Sequence, residues 1–541
     1  MGLNLFNIKE DPARPSPREI YNWRVYVLAI AASWGSAAFG YDSAFIGGTL
    51  GLTSFKNDFG IDSTSSTGLQ ARIVSTFQAG CFFGAILIYF FNELYGRRRS
   101  LLLAGTVFNV GVILQLCSAH RIGMLYAGRA LAGLGIGSSS LVIPQYISEC
   151  APAGIRGGLI GMFEILLQIG TVFGFWINYG VNKNMAATRS QWQIPVAIQF
   201  IPINLMIIIM YFMIETPRWL VLKGREEQAL KNLTWLRQLP ADHSYIQNEM
   251  AEYRAQLEHE MHITNGTGLG AIIRESFSPQ IRSRIFIGCG LQLAQNTTGI
   301  NAINYFSPSI FEAIGFSGTS VGLLATGVYG LVKTAFSTFS FIVLVDRFGR
   351  RPLLLIGSAG CILSLYYLSG FSSITHSFSD SATGGPASRA AIAMIYIYAM
   401  FYATSWNLSW IVCAEIFPTR VRSFCLVLTT CWQWLGQFIV VYSTPYMIEH
   451  ITYGTFLFFG SCTVIAFFAI WLFLPETKGV SLENMDLLFE KRGLAWVKRR
   501  EYDVVMEARR SGTVTEVSSQ SDASGVAGEP EKEERNLVEM A

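Results

Sequence analysis

Charge is what this chain has least of. Asp, Glu, Lys and Arg make up 14% of its 541 residues, against about 25% in ordinary soluble domains. With 51% hydrophobic residues and a mean hydropathy of +0.37, it lacks the polar surface that a water-borne fold requires, and lipid must serve as its solvent. A net charge of +3 gives no electrostatic case for nucleic acid. No GxxxxGK[ST] loop is present, which excludes ATP as the energy source; the Gly-rich run Gly133 to Gly137 follows no strand and binds no dinucleotide. The nine cysteines form no CxxC and mostly sit in apolar runs, so they read as small buried hydrophobes rather than metal ligands. With no catalytic triad, metal cluster or cofactor signature, an enzyme is excluded as well. A cleavable leader is not expected: residues 1–24 are polar and basic, and the first apolar run is too long for an h-region.

What the chain does have is a loop used twice. Glu93-Leu94-Tyr95-Gly96-Arg97-Arg98-Arg99 and Asp346-Arg347-Phe348-Gly349-Arg350-Arg351-Pro352 lie about 250 residues apart, each between long apolar segments. An acid, a Gly turn and an Arg pair repeated once per half is the mark of a carrier built from two parallel repeats. Twelve apolar runs are long enough to span a bilayer: 25–49, 70–91, 101–118, 124–146, 158–180, 193–214, 284–311, 320–344, 353–372, 389–413, 424–446 and 453–474. The expected fold is therefore an all-α membrane protein with twelve transmembrane helices in two pseudo-symmetric six-helix bundles. Basic clusters at Arg97 to Arg99, Arg156, Arg347 to Arg351 and Arg420 to Arg422 fall in alternate loops, which places these loops and both termini in the cytoplasm.

The expected organisation is an N-terminus at 1–24, a first bundle at 25–216, a helical linker at 217–283, a second bundle at 284–475 and a tail at 476–541, disordered after about 510. The linker's centre, Gly224 to Met261, has helical periodicity and reads as amphipathic helices on the cytoplasmic face. The sequons at Asn296 and Asn407 fall inside spans and that at Asn232 in the cytoplasm, so glycosylation of any of them is not expected.

Ionisable residues inside a membrane cost about 2.5–3.5 kcal/mol at mid-depth on insertion scales, and are functional candidates for that reason. Four stand out: Asp42, Arg129, Glu164 and Lys333. Arg129 cannot readily lose its proton, whereas Asp42 can gain one, so the two form a natural pair for proton coupling. A static salt bridge fixing helix register is the alternative. Glu164 and Gln168 share a helix face one turn apart. Lys333, in the other half, is an anion hook that Glu164 neutralises when the site is empty; snorkelling of its ammonium towards an interface is the alternative. Span seven carries Gln295, Asn296, Asn301 and Asn304 around Gly299. Amides offer both donors and acceptors to a polyhydroxylated ligand, or else bond neighbouring helices. Trp410 and Trp434 lie deep in spans ten and eleven, where an indole packs on a ring-shaped ligand or fills core.

These residues, in this order, resemble the sugar porter family of the major facilitator superfamily. The matching pieces are Gly40-Tyr41-Asp42, Gly128-Arg129, Pro144 to Glu149, Arg156-Gly157, Glu215 to Leu220, Gln295 to Asn301, Asp346 to Arg351, Glu415 to Arg422 and Pro475 to Gly479, over about residues 20–490. Within the family the chain is similar to fungal quinate permeases and related sugar-acid (galacturonate) transporters, at Lys9-Glu10-Asp11, Pro17 to Tyr26, Tyr41 to Gly47, Phe175 to Gly180 and Gly299 to Tyr305. The resemblance implies proton symport through Asp42 partnered by Arg129, and ligand contact by Gln295, Asn301, Trp410 and Trp434. It also implies cytoplasmic charges that latch the halves in the outward-facing state: Glu149, Arg156, Glu215, Arg347, Glu415 and Arg420. Neutral-sugar porters usually have Gln where Glu164 and Asn296 stand and Asn at or next to Lys333. Trp406-Asn407 replaces the Gly-Pro of many sugar porters and lacks the Gly-Thr-Pro that tends to follow in quinate permeases.

The expected function is proton-coupled uptake of a hydroxylated monocarboxylate, quinate or a sugar acid such as D-galacturonate, by a monomer in the cell membrane. Its partners are then the bilayer, the proton and a small carboxylated polyol or sugar. A neutral hexose or pentose symporter is the first alternative, a non-transporting nutrient sensor of the same fold the second.

Overall fold

A computed structural model of the chain describes residues 17–61, 66–264, 269–314, 319–375, 386–418, 421–478, 480, 485–490 and 493–510, and no strand occurs among them. The first six spans are α1 (Trp23–Gly51), α2 (Ser66–Tyr95), α3 (Arg97–Leu116), α4 (Ile122–Cys150), α5 (Arg156–Asn184) and α6 (Arg189–Phe212). The second six begin with α7, broken into Pro279–Thr297 and Ile300–Ile314 by Gly299, whose φ of +87° a side chain would resist. Next comes α8, running through Thr319–Phe339, a π turn at Ser340–Leu344 and Val345–Phe348. Then follow α9 (Arg350–Thr375), α10 (Pro386–Ser405 and Leu408–Glu415), α11 (Arg422–Ile451) and α12 (Gly454–Phe473).

Among the described residues, nine helices are long and apolar enough to cross a bilayer unaided. The other three spans are α1, diluted by Ser33, Ser36, Asp42 and Ser43, and the two broken helices α7 and α10. The apolar runs of the sequence thus find their helices, and the helices extend past the runs at the polar ends.

Pairing repeats from one half to the other. α1 packs on α5, α2 on α4, α3 on α4 and α6; six spans on, α7 packs on α11, α8 on α10, α9 on α10 and α12. The halves meet along two matching seams, α2 with α11 and α5 with α8, and α1 also touches the second part of α7. Without a hydrophobic drive between helices in lipid, close backbone approach supplies the packing energy. At Gly137 of α4 a Cβ would stand 2.0 Å from the Cys81 carbonyl oxygen of α2, which only glycine tolerates.

Between the halves stand helices Pro217–Leu222, Glu226–Arg237, Ser244–Thr264 and Leu269–Ser276. The first three dock on the first half. Arg237, 1% exposed, donates to the Cys150 carbonyl at 2.8 Å, closing the C-terminus of α4, and pairs with Glu249 at 2.6 Å. Asn22 and Arg24, opening α1, donate to the carbonyls of Leu236 and Trp235 at 2.8 and 2.7 Å. The second half has a counterpart: Arg284 of α7 donates to the Ile416 carbonyl beyond α10 at 3.2 Å and pairs with Asp486 of the helix Met485–Glu490 at 2.6 Å.

Two outcomes test this packing. Gly137→Val is expected to destabilise the purified protein by about 1–3 kcal/mol or more, while Gly180→Val, where a Cβ meets nothing within 4 Å, leaves the melting temperature unchanged. Equal melting of the two variants refutes the close-approach account. The second concerns Glu249. Burial pushes its carboxyl up, but the Arg237 guanidinium and the hydrogen bonds of Arg237 and Tyr253 overcome this and hold it below the usual range. A depressed carboxyl stabilises the fold above its unfolded pKa, and that stability is lost as pH falls through the depressed value. Pepsin cleavage within residues 226–264, relative to denatured chain, is expected to rise as pH drops below about 4, and Glu249→Gln is expected to remove that pH dependence.

Candidate functional site

Asp42 of α1 and Arg129 of α4 meet at 2.6 Å, both fully buried. The contact is single-toothed: Arg129 Nη1 donates to Oδ1, while Oδ2 and Arg129 Nη2 have no partner among the described residues. The guanidinium lies over the rings of Phe77 at 4.5 Å and Phe45 at 5.9 Å, an arrangement that suits a cation kept from water. Chemically, the uncommitted oxygen is the place where a proton can add without first breaking the hydrogen bond to Arg129.

Beside this pair a hydrogen-bond chain crosses between the halves. Gln437 of α11 donates to the Tyr305 hydroxyl of α7 at 3.2 Å, and with the Gln78 amide turned to satisfy its neighbours Tyr305 donates to Gln78 of α2 at 3.0 Å. The Tyr305 backbone also abuts α1 at Gly47.

On the seam between α5 and α8, Gln168 donates to Glu164 at 2.6 Å, and Thr334 donates to the Gln168 carbonyl at 3.1 Å. Lys333, the next residue, is 4% exposed and makes no hydrogen bond or ion pair among the described residues. Its charge and that of Glu164 act on each other across the seam without touching. An ammonium on a side chain this buried, with no ion-pair partner, is costly, and an anion between these helices would relieve it.

The amides of α7 divide into two groups. Asn296 is engaged in holding α7 to α11: it donates to Gln433 Oε1 at 2.7 Å and accepts from Asn301 at 2.6 Å. Gln295 donates to the Trp406 carbonyl at 3.2 Å and keeps a buried Oε1 with no partner. Asn304 accepts from Tyr329 at 3.0 Å. Trp434 is fully buried, packs on Phe39 of the opposite half at 5.2 Å between centroids, and has an unpartnered Nε1. Trp410 is half-buried. One turn earlier, Trp406 is fully buried with its own unpartnered Nε1. Tyr402, buried, faces both Glu164 and Gln295. Gln168 Oε1, Gln295 Oε1, Trp406 Nε1 and Trp434 Nε1 thus form a set of buried acceptors and donors without partners, on helices of both halves.

The twice-used loop has one geometry in both halves. Glu215 accepts from the backbone N–H of Arg97 at 3.0 Å and of Arg98 at 3.2 Å, where α3 begins; Glu476 accepts from those of Arg350 at 3.0 Å and Arg351 at 2.9 Å, where α9 begins. A carboxylate under a helix N-terminus satisfies N–H groups that have no partner within the helix. The glycines explain themselves: Gly96 has φ +95° and Gly349 φ +92°, and a Cβ on either would run into that carboxylate. Arg97 pairs with Glu149 at 3.1 Å and Thr216 donates to Glu149 at 2.7 Å. In the second half Arg350 pairs with Glu415 at 2.8 Å and Thr477 donates to Glu415 at 3.0 Å. These ion pairs each lie within one half. Burial pushes the Glu215 carboxyl above the usual range, against the pull of the N–H groups. Arg156 faces the Glu249 and Tyr253 cluster of the linker, Arg347 is exposed, and Arg420 lies outside the described residues.

A bundle of twelve spans with a polar seam buried at its centre defines a membrane transporter and not an enzyme. The chain belongs to the sugar transporter family: the family described as "Sugar (and other) transporter" matches residues 28–489. It is 44% identical over 498 residues to a "Probable quinate permease" of Aspergillus niger, covering 90% of this chain and 92% of the relative. It is 41% identical to the "Quinate permease" of Emericella nidulans over 91% of this chain and 92% of the relative. Among solved structures, the proton:xylose symporter XylE bound to 6-bromo-6-deoxy-D-glucose matches with a TM-score of 0.72 and 26% identity, over 86% of this chain and 99% of that one. The partially occluded inward-open xylose transporter XylE from E. coli matches with a TM-score of 0.70 and 25% identity, over 84% of this chain and 99% of that one. The fold is that of the major facilitator superfamily.

The buried pair generates a stability prediction. Arg129→Leu leaves Asp42 uncompensated and is expected to cost about 3–5 kcal/mol, whereas Asp42→Asn combined with Arg129→Leu recovers most of the loss. Thermal unfolding in detergent measures both, and additive losses would show that the two residues do not interact.

Proposed function

We propose that this protein takes up a hydroxylated monocarboxylate, quinate or a sugar acid such as D-galacturonate, together with a proton, by alternating access across the cell membrane. The observation that carries the reading is Lys333: a buried cation without a partner, on the seam between the halves and facing Glu164. A substrate carboxylate takes the ammonium, displacing the influence of Glu164. Ring hydroxyls bond the free atoms of Gln168 and Gln295, with Asn301 beside them. Trp434, Trp406 and Trp410 line the ring face, where indole packing and N–H donation both suit a saturated polyol. The relatives named quinate permeases support a carboxylated polyol over a neutral sugar.

Asp42 carries the proton. Its free Oδ2 accepts it, the pull on Arg129 weakens, and α1 is released against α4. Halves at about 25–216 and 284–475 then rock about the central seams. At the end remote from the linker the halves already touch: Asn182 donates to Ser320 at 2.9 Å, and Trp176 stacks against Gly327. The clamps of Arg97 with Glu149 and Arg350 with Glu415 face the cytoplasm on this reading, as do both termini, and hold each half rigid while it moves. The membrane potential supplies roughly 2.3 kcal/mol per charge per 100 mV. A monoanion carried with one proton moves no net charge, so accumulation then rests on the pH gradient unless Glu164 carries a second proton.

Radiolabelled uptake in a transporter-deficient yeast, comparing quinate, galacturonate and glucose at acidic and neutral pH, tests the reading. Acid uptake that a protonophore abolishes is expected; indifference to the protonophore refutes the coupling, and glucose preference refutes the acid. Lys333→Asn is expected to weaken acid uptake about 10–100-fold, the scale of one hydrogen bond to a charged group. Acid uptake undiminished in that variant refutes the hook.

A further inference from the structure

The tail helix Ala495–Arg510 has two faces with different neighbours. One is fastened to the second half. Ala495 and Tyr502 are buried, Arg499 donates to the carbonyls of Glu476 and Lys478 at 3.0 and 3.2 Å, and the Lys498 ammonium lies 5.2 Å over the Phe489 ring. The other face points away from the protein and is largely apolar: Leu494 just before the helix, then Val497, Val504 and Val505, are 37%, 38%, 54% and 42% exposed, with the half-buried Glu501 among them. Their spacing of three, ten and eleven residues from Leu494 draws one stripe along a helix. An exposed stripe of this kind in water is a liability unless something covers it.

The level at which the helix lies says what covers it. Trp496, 41% exposed, packs on Trp471 at 5.4 Å between centroids, and Trp471 stands in the last turn of α12. A tryptophan at the end of a span marks the boundary between headgroups and acyl chains. The helix therefore starts at the surface of the bilayer that α12 has just crossed. The charge of the segment is basic in sum: residues 491–510 contain seven basic and three acidic side chains, and Arg500 is exposed beside the stripe together with Asp503 and Glu507.

We propose that Ala495–Arg510 is an interfacial helix that binds anionic phospholipid headgroups in the leaflet where α12 ends, with Val497, Val504 and Val505 entering the acyl boundary and the basic side chains meeting the headgroups. This surface is independent of the transported substrate.

Hydrogen exchange of the full-length protein reconstituted in vesicles of phosphatidylcholine alone, or of phosphatidylcholine with phosphatidylserine, tests the proposal. Amides of 495–510 are expected to exchange severalfold more slowly in the anionic vesicles, with the twelve spans unchanged. Val504→Glu with Val505→Glu is expected to abolish the difference, Val504→Leu to keep it, and Arg500→Glu to reduce it. Equal exchange in both vesicles overturns the proposal, as does a difference that survives Val504→Glu with Val505→Glu. Slowing that depends on the protein-to-lipid ratio also overturns it, because a second copy of the chain is then the occupant.

Discussion

In a medium that offers no hydrogen bonds, every polar group of this chain must be answered from within the chain itself. That constraint explains features that otherwise look unrelated. At the margins of that medium Glu215 and Glu476 sit under the starts of α3 and α9 and take up the first N–H groups there. Arg237 and Arg284 reach the carbonyls that end α4 and α10 for the complementary reason. Where α8 relaxes into a π turn, Ser340 donates to the Thr404 carbonyl of α10 at 2.6 Å, next to the point where α10 itself breaks. Some of the groups left unanswered are then informative. Among the buried atoms without partners, Gln168 Oε1, Gln295 Oε1, Trp406 Nε1 and Trp434 Nε1 lie on helices that meet at the seam of the two halves.

The two halves share a scaffold and differ in chemistry. The loop clamps and helix pairings repeat almost residue for residue, which is what a duplicated design predicts. The central side chains do not repeat. The first half contributes the Asp42–Arg129 pair and Glu164; the second contributes the amides of α7, the indoles of α10 and α11, and Lys333. A symmetric site would bind a proton and a substrate equally from either half. On the function proposed above, this separation lets one half respond to protons and the other hold cargo, with Tyr305 hydrogen-bonded to a residue of each half.

Much of this was legible in the sequence because apolar length and loop chemistry are local. The spans, the repeated loops, the linker helices and the Asp42–Arg129 partnership all follow from spacing and from the cost of isolated charge in lipid. What sequence reading missed depends on facing between helices distant along the chain. Nothing local announces that Asn296 bonds Gln433 across α7 and α11, that Tyr305 lies between Gln78 and Gln437, or that Trp434 meets Phe39. Trp406 was hidden because its depth depends on where α10 breaks; the Trp406-Asn407 pair was the visible signal. The three spans that apolarity alone would overlook, α1, α7 and α10, carry Asp42, the amides and two of the indoles. Chemistry dilutes hydrophobicity in those three, whereas Arg129, Glu164, Gln168, Lys333 and Trp434 lie on helices apolar enough to be read as spans unaided.

The carboxylates that seat the starts of α3 and α9 come from far downstream in the chain. Glu215 follows α6, and Glu476 follows α12. During synthesis the opening turn of α3 therefore waits, solvated or bonded provisionally, until the sixth span has left the ribosome, and that of α9 waits for the twelfth. Each bundle locks only on completion, so a chain truncated within either half lacks the residue that would finish a helix made long before.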